Sequence, residues 1–246
     1  MELTKHIYLV GSGRGGFDLT DDFDCHVYAI EVSGEIALVD IGFGRRLADI
    51  MSNLRSHGLR EEQVRYLMIT HPHADHCGGT AELTKLLPNL IVVAHPVAAD
   101  LIRRGDEAGM ALDRARAAGF YPSDYRLKPA SVHRDVKNGD SVKLGGKEIK
   151  VIETPGHSVG SVSYLIELDG RNCLFSGDVV FHGGRISLEN TGMSSVQDYA
   201  RTFDMLSTVS VDALFPGHLT FSLRNGKRHI EAAATYFRNL SLPPQV

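Results

Sequence analysis

The strongest constraint on this chain is the stretch THPHADHCGG at residues 70–79, which directly follows the apolar run VRYLMI. Within six residues it holds three imidazoles and one carboxylate: His71, His73, Asp75 and His76. In an extended segment, residues two apart point to the same side, so the first two histidines can bind one ion. Asp75 and His76 come where the chain should turn into a helix, from which they can reach a second ion. The spacing is therefore consistent with a site for two metals.

Four further polar residues stand next to glycine, or one residue from it, at the ends of predicted strands: Asp40 in LVDIG, His157 in TPGH, Asp178 in FSGD and His218 in FPGH. Side chains at strand ends sit at the rim of a sheet, where functional groups collect on loops held by a rigid scaffold. Several such ends in one small protein predict that they converge. Imidazole and carboxylate are the usual nitrogen and oxygen ligands of zinc, and they also suit iron or manganese.

The remaining pattern predicts one α/β domain over residues 1–246. Strand-like segments occur in hairpins, one of them around Ser33-Gly34, and they also alternate with helical periodicity, so the sheets should be mixed. A hydrophobic fraction of 43% is enough for a sizeable core. The segment 97–130 is the least strand-like, with one or two helices at 97–119. We predict that it is an insertion beside the active site.

A glycine-rich stretch near the start, HIYLVGSGRGGF, matches the GxGxxG pattern of dinucleotide-binding proteins. That fingerprint needs a helix that opens at the third glycine, because the pyrophosphate sits on the helix N-terminus. The residues that follow Gly16 have no helical periodicity and are acidic. We therefore predict a flexible loop between two strands, which could overhang an active site, and no nucleotide site.

Net charge and composition limit the kinds of partner that this protein can have. The formal net charge of −4 gives no electrostatic case for nucleic acid, and no apolar run is long enough to cross a bilayer. The three cysteines have no CxxC spacing, which favours reduced thiols. Together with a start that lacks a secretory apolar region, these features predict a cytoplasmic protein that acts on a small molecule. The oligomeric state stays open.

On these residues the sequence resembles the metallo-β-lactamase superfamily of metal-dependent hydrolases, and the resemblance covers nearly the whole chain. It implies an αββα sandwich, in which two mixed β-sheets are flanked by helices and the site lies at one edge of the sheets. Asp40 matches an aspartate that is usually structural. The implied cofactors are two divalent ions, with zinc preferred and iron or manganese as alternatives. The implied ligands are His71, His73 and His157 for the first ion, Asp75, His76 and His218 for the second, and Asp178 as a bridge.

The resemblance implies hydrolysis of a small ester, thioester or lactone. A water shared by two ions has its pKa lowered toward about 7, which gives a metal-bound hydroxide at neutral pH. Asp75 would orient this nucleophile as well as bind. His182 is a candidate proton donor and Arg185 a candidate anion-binding group, since both closely follow the bridging aspartate. Phe181 is a candidate substrate contact, because the quorum-signal lactonases place a tyrosine there.

The family offers other reactions. The chain after His218 is long enough for about one helix, which argues against the helical substrate domain of glyoxalase II enzymes. Class B β-lactamases lack the bridging aspartate. Two alternatives stay open: a mononuclear iron persulfide dioxygenase, which uses fewer of the ligands, and a phosphodiesterase. A non-catalytic member is disfavoured, because all seven ligand positions are filled.

Overall fold

The computed structural model describes all 246 residues and contains two β-sheets of seven and five strands. The first sheet runs in the order β1 to β7, with antiparallel pairs up to β4 and parallel pairs from β4 onward. The second has the order β12-β11-β10-β9-β8, and only β11 and β12 are parallel. Both sheets are mixed, as predicted. The strands are β1 (Glu2–Thr4), β2 (Ile7–Gly11), β3 (Val27–Val32), β4 (Glu35–Val39), β5 (Val64–Met68), β6 (Ile91–Ala94), β7 (Arg134–Asp135), β8 (Ser141–Leu144), β9 (Lys147–Glu153), β10 (Val162–Leu168), β11 (Arg171–Gly177) and β12 (Ala213–Pro216).

Helices cover the outer face of each sheet. They are α1 (Leu47–Ser56), α2 (Ala74–Cys77), α3 (Thr80–Leu86), α4 (Pro96–Arg104), α5 (Leu112–Ala117), α6 (Val196–Leu206) and α7 (Lys227–Arg238). No helix is both long and apolar enough to span a membrane.

The alternation of side chains along β3 shows how the layers form. Val27 and Ala29 belong to the apolar cluster beneath α1, α3 and α4, whereas Tyr28 and Ile30 belong to the cluster between the sheets. Successive strand residues point to opposite faces, so a strand that is apolar on both faces must be covered on both. A third cluster joins α6 and α7 to the second sheet. The layers are therefore helix, sheet, sheet and helix, which confirms the predicted αββα sandwich.

Two buried tyrosines tie the sheets together at the end that carries the ligand residues. The phenol of Tyr28 on β3 donates a hydrogen bond to the carbonyl of Pro216 at 2.8 Å, and Tyr164 on β10 donates to the carbonyl of Ile69 at 2.8 Å. Each bond joins a strand of one sheet to a strand end of the other. The chain leaves β5 and β12 just beyond these anchors, so the segments that carry the histidines start from fixed positions.

Several sequence predictions are confirmed, with changed boundaries. Ser33 and Gly34 both have positive φ, as a two-residue hairpin turn requires. The last strand of the first sheet is short, since β7 holds only two residues. Just before it, His133 N donates to the carbonyl of Val92, and the His133 ring nitrogen accepts from the amide of Val92. The segment 97–130 contains α4 and α5 and lies in the crossover from β6 to β7.

The turn between β8 and β9 offers a test of the contact between the sheets. Gly145 and Gly146 both have positive φ, but only a side chain at Gly145 would overlap the carbonyl of Val32 on β3. We expect Gly146→Ala to lower the free energy of unfolding by about 1–2 kcal/mol through backbone strain. Gly145→Ala should lower it by at least about 1 kcal/mol more through overpacking. Denaturant titration measures both, and equal losses would contradict the contact.

Candidate metal centre

The candidate ligand residues follow the ends of four strands, β5, β9, β11 and β12. The chain beyond β5 bends at Thr70 and His71, and His73 is extended with φ −74° and ψ 149°. Helix α2 begins at the next residue, so Asp75 and His76 lie on a helix whereas His71 and His73 precede it. His157, Asp178 and His218 follow β9, β11 and β12.

The first predicted ligand group is brought together. Ligand atoms of His71, His73 and His157 lie within 4.8 Å of one another, and all three residues are buried. Nδ1 of His73 is 2.9 Å from Nε2 of His157. Nitrogens bound to one tetrahedral zinc at about 2.0–2.1 Å lie roughly 3.3 Å apart, so this group has the dimensions of a three-histidine site.

The second predicted group lies beside the first. Nε2 of His218 is 3.0 Å from Oδ2 of Asp75 and 3.3 Å from Nε2 of His76. Ligand atoms of these three residues also lie within 4.8 Å of one another. The arrangement offers one carboxylate and two imidazoles to a second ion.

Asp178 stands between the two groups. Its Oδ1 is 3.4 Å from Nε2 of His76, and its Oδ2 is 3.6 Å from Nε2 of His218 and 3.9 Å from Nε2 of His157. One carboxylate therefore faces nitrogens of both groups, which is the position of a bridging ligand.

Unpaired buried atoms supply an independent test of whether cations fit. Four buried side-chain nitrogen or oxygen atoms lack a hydrogen-bond partner, and two of them are Nε2 of His71 and Oδ1 of Asp178, which belong to the clusters described above. Such atoms cost roughly 1–3 kcal/mol each when nothing compensates them. Their concentration here, among groups that are all metal ligands by type, fits ions held between them.

Metal ligands must be neutral imidazoles and ionised carboxylates, and the first group favours these forms. Burial and neighbouring histidines hold the pKa of His71 far below its usual value, and burial together with His157 lowers that of His73 to about 3. Burial acts to raise the pKa of Asp75, but His76 and His218 outweigh it and keep it low. In the second group burial acts to lower the pKa of His76 and of His218, but the nearby carboxylates outweigh it and raise both, so these two imidazoles must lose a proton when a metal binds.

Asp40 orients ligands of both groups. Its Oδ2 accepts a hydrogen bond from Nδ1 of His76 at 2.8 Å and another from the hydroxyl of Thr70 at 2.7 Å. That hydroxyl in turn accepts from Nδ1 of His71 at 3.0 Å. Both histidines therefore carry their proton on Nδ1, which leaves Nε2 free for a metal. The structural role implied for Asp40 agrees with these contacts.

His157 is oriented by a loop that sequence reasoning did not single out. Its Nδ1 donates to the carbonyl of Ser187 at 2.8 Å. The C-terminal tail holds this loop, since Ile186 N donates to the carbonyl of Pro244 and Leu188 N donates to Oε1 of Gln245. The tail is thus coupled to a ligand of the first group.

The structure does not bring Phe181, His182 and Arg185 into the site. Phe181 is fully buried and His182 is exposed against His229, with ring centroids 4.5 Å apart. The guanidinium of Arg185 donates to the carbonyl of Gln245. None of the three lines the cavity, because Gly183 and Gly184 turn the chain toward α7. We therefore assign them no part in the chemistry.

A cavity of about 800 Å³ opens over the ligand residues His73, Asp75 and His218. Its walls come from the glycine-rich loop after β2 (the glycine loop, which includes Arg14 and Gly15), and from the segment 110–121, the loop 187–191 and the last two residues. The glycine loop forms no helix, as predicted, and it overhangs the site: Leu219 N donates to the carbonyl of Gly15 at 2.7 Å. Phe120 and Tyr121 line the cavity, and so does the C-terminal tail, which no sequence motif indicated.

An αββα sandwich whose cavity floor carries converging histidines and aspartates defines the class of metal-dependent hydrolases. The family model of the metallo-β-lactamase superfamily matches residues 20–218, which include all seven predicted ligands. The chain belongs to the metallo-β-lactamase superfamily. The family and the enzyme class predicted from the sequence are therefore confirmed.

Relatives with named activities narrow the comparison. The chain is 27% identical over 231 residues to the acyl-coenzyme A thioesterase MBLAC2 of Homo sapiens, covering 86% of this chain and 78% of that protein. It is 31% identical over 166 residues to a hydroxyacylglutathione hydrolase of Rhodopseudomonas palustris, covering 68% of this chain and 51% of that enzyme. Among solved structures, a metallo-β-lactamase from Cronobacter sakazakii superposes with a TM-score of 0.74 at 20% identity, over 98% and 96% of the two chains. That likeness shows the fold.

The contacts of Asp40 generate a prediction for the metal-free protein. In Asp40→Asn, one carboxylate oxygen becomes an amide donor that faces donors from Thr70 and His76. We expect the free energy of unfolding to fall by about 2 kcal/mol or more, since hydrogen bonds to a buried charge are lost. The matched control is Asp49→Asn, which removes a half-exposed ion pair with Arg46 and should leave stability close to that of wild type. Equal stability of the two variants would contradict the role of Asp40.

Proposed function

We propose that this protein is a dinuclear metal-dependent hydrolase of small acyl thioesters. The observation that carries the proposal is the pair of ligand groups with Asp178 between them. His71, His73 and His157 would hold one ion, Asp75, His76 and His218 the other, and Asp178 would face both. We propose zinc for both ions. The second group is complete, which favours two ions over the single iron of a persulfide dioxygenase.

Bound divalent ions supply Lewis acidity and a water that ionises near neutral pH. The chain's own residues orient these ions and exclude bulk water. Nδ1 of each of His71, His76 and His157 is fixed by a hydrogen bond to the protein, so their rings cannot turn away. The low pKa of Asp75 keeps its carboxylate ionised, and its position at the cavity floor suits it to hold the attacking water.

The cavity supports an acyl substrate. One wall is apolar and comes from Met110, Leu112, Ala115 and Phe120, which lie in the segment between β6 and β7. Arg14 and Arg114 also line the cavity and offer positive charge to an anionic thiol portion. Relatives that act on acyl-coenzyme A and acylglutathione support a thioester over a simple ester or lactone.

We therefore propose that residues 97–130 form an active-site insertion, whose end at 110–121 shapes the acyl-binding wall. The single domain over 1–246 and the cytoplasmic location stay predictions.

Metal dependence is the first test. We expect the purified protein to contain two divalent ions per chain and to hydrolyse acyl-coenzyme A thioesters. Chelation should abolish hydrolysis and zinc should restore it. Asp178→Ala should lower kcat/KM by at least about 1000-fold, because a bridging ligand is lost. Elemental analysis and thiol release measure these quantities.

The same assay decides among the alternatives. Hydrolysis of phosphodiesters but not of thioesters would overturn the substrate assignment. One iron per chain with oxygen uptake would instead support the dioxygenase.

The apolar wall predicts a selectivity for acyl length that one residue can change. Ala115 lines the cavity, whereas Ala117 on the same helix α5 is exposed and lies outside it. Ala115→Phe should raise KM for octanoyl-coenzyme A by about fivefold or more and affect acetyl-coenzyme A less. A fivefold rise corresponds to about 1 kcal/mol, which is the loss of apolar contact for one or two methylenes at roughly 0.8 kcal/mol each.

Ala117→Phe is the matched control and should leave both KM values unchanged. An equal rise of KM for the two substrates in Ala115→Phe would place the acyl chain elsewhere in the cavity.

A further inference from the structure

One tyrosine reaches a predicted metal ligand from the segment between β6 and β7. The phenol of Tyr121 donates a hydrogen bond to Oδ1 of Asp75 at 2.8 Å. Tyr121 lies in the loop after α5 and also lines the cavity. It belongs to no ligand motif, and 46 residues separate it from Asp75 along the chain.

Other aromatic residues hold the ring of Tyr121 in place. It stacks on Phe43 with ring centroids 4.9 Å apart and meets the edge of Phe23 at 5.9 Å. Tyr125 stacks on the same Phe43 at 3.7 Å. Side chains packed in this way have few rotamers, so the phenol is presented to Asp75 in one direction.

Polar contacts fix the segment that carries the tyrosine. Arg116 pairs with Glu107, and the other oxygen of Glu107 accepts from the amide of Leu127. Arg116 also donates to the carbonyl of Tyr125. The loop around Tyr121 is therefore closed at both ends.

The two oxygens of Asp75 have different partners as a result. Oδ2 faces Nε2 of His218 at 3.0 Å and Nε2 of His76 at 3.5 Å, while Oδ1 accepts from Tyr121.

We infer that Tyr121 is a positioning residue for the second ion: it occupies Oδ1 of Asp75 and leaves Oδ2 as the single oxygen that binds the metal. This inference rests on the dinuclear site proposed above. Groups that orient a metal ligand by hydrogen bonding raise metal affinity, and their loss typically costs about 10–100-fold. Control of the second ion would thus reside in the same segment that forms the acyl-binding wall.

The test compares Tyr121→Phe with Tyr125→Phe. Each variant loses one hydroxyl and keeps its stacked ring, but only the first hydroxyl touches a predicted ligand. Metal-free full-length protein is titrated with zinc against a competing chelator. We expect wild type to bind two ions, and Tyr121→Phe to bind the first normally and the second about 10–100-fold more weakly. Tyr125→Phe should bind both within about twofold of wild type.

A spectroscopic measurement checks the coordination itself. In protein loaded with two cobalt ions, absorption intensity falls as coordination number rises, and a carboxylate that binds through both oxygens adds a ligand. Tyr121→Phe should show weaker cobalt bands than Tyr125→Phe.

Normal affinity for both ions and unchanged cobalt bands in Tyr121→Phe would overturn the inference. A general packing role would also overturn it, and would appear as equal weakening of both ions with a lower melting temperature of the metal-free variant. Failure of wild type to bind a second ion would instead overturn the proposed dinuclear site itself.

Discussion

The carboxylate of Asp40 is the contact on which the site depends most. It lies just beyond β4, in a left-handed backbone conformation, and accepts from the backbone and hydroxyl of Thr70 beyond β5. Through Thr70 it orients His71, and directly it orients His76. One buried charge therefore sets the relation of two neighbouring strand ends and the tautomers of two ligands in different groups. Asp40 therefore links the arrangement of the two strands to the orientation of the two histidines.

The same end of the sandwich also contains buried polar atoms that lack a hydrogen-bond partner. Nε2 of His71 and Oδ1 of Asp178 have no hydrogen-bond partner in this buried space, while the residues of the apolar layers beneath are almost fully buried. Ligands that bind only the native state add to its stability. Metal binding should therefore stabilise the folded state of this protein. The packed sheets hold the candidate ligands in place, and bound ions would compensate the unpaired polar atoms at this end.

The candidate ligands that the structure brings together could be picked out from the sequence because each has a local signature. His71 to His76 follow an apolar strand, and His157, Asp178 and His218 each follow a glycine at a strand end. The layer order followed from the apolar pattern and the family resemblance. Tyr121 and Gln245 could not be predicted to act together with these residues, because their roles depend on close approach of distant segments. The structure does not bring Phe181, His182 and Arg185 into the site, although they are close to Asp178 in sequence. The chain turns away from the site at Gly183.

The C-terminal tail has a consequence for how this protein can be joined to other chains. Residues 244–246 run beside Ile186, and Val246 lies on the cavity wall. Any polypeptide attached after Val246, whether natural or added in the laboratory, would begin at the cavity wall. A fusion at this end would therefore start beside residues that line the cavity, whereas the strand at residues 2–4 is an edge strand of the first sheet and does not line it. The two ends of the chain are not equivalent as attachment points.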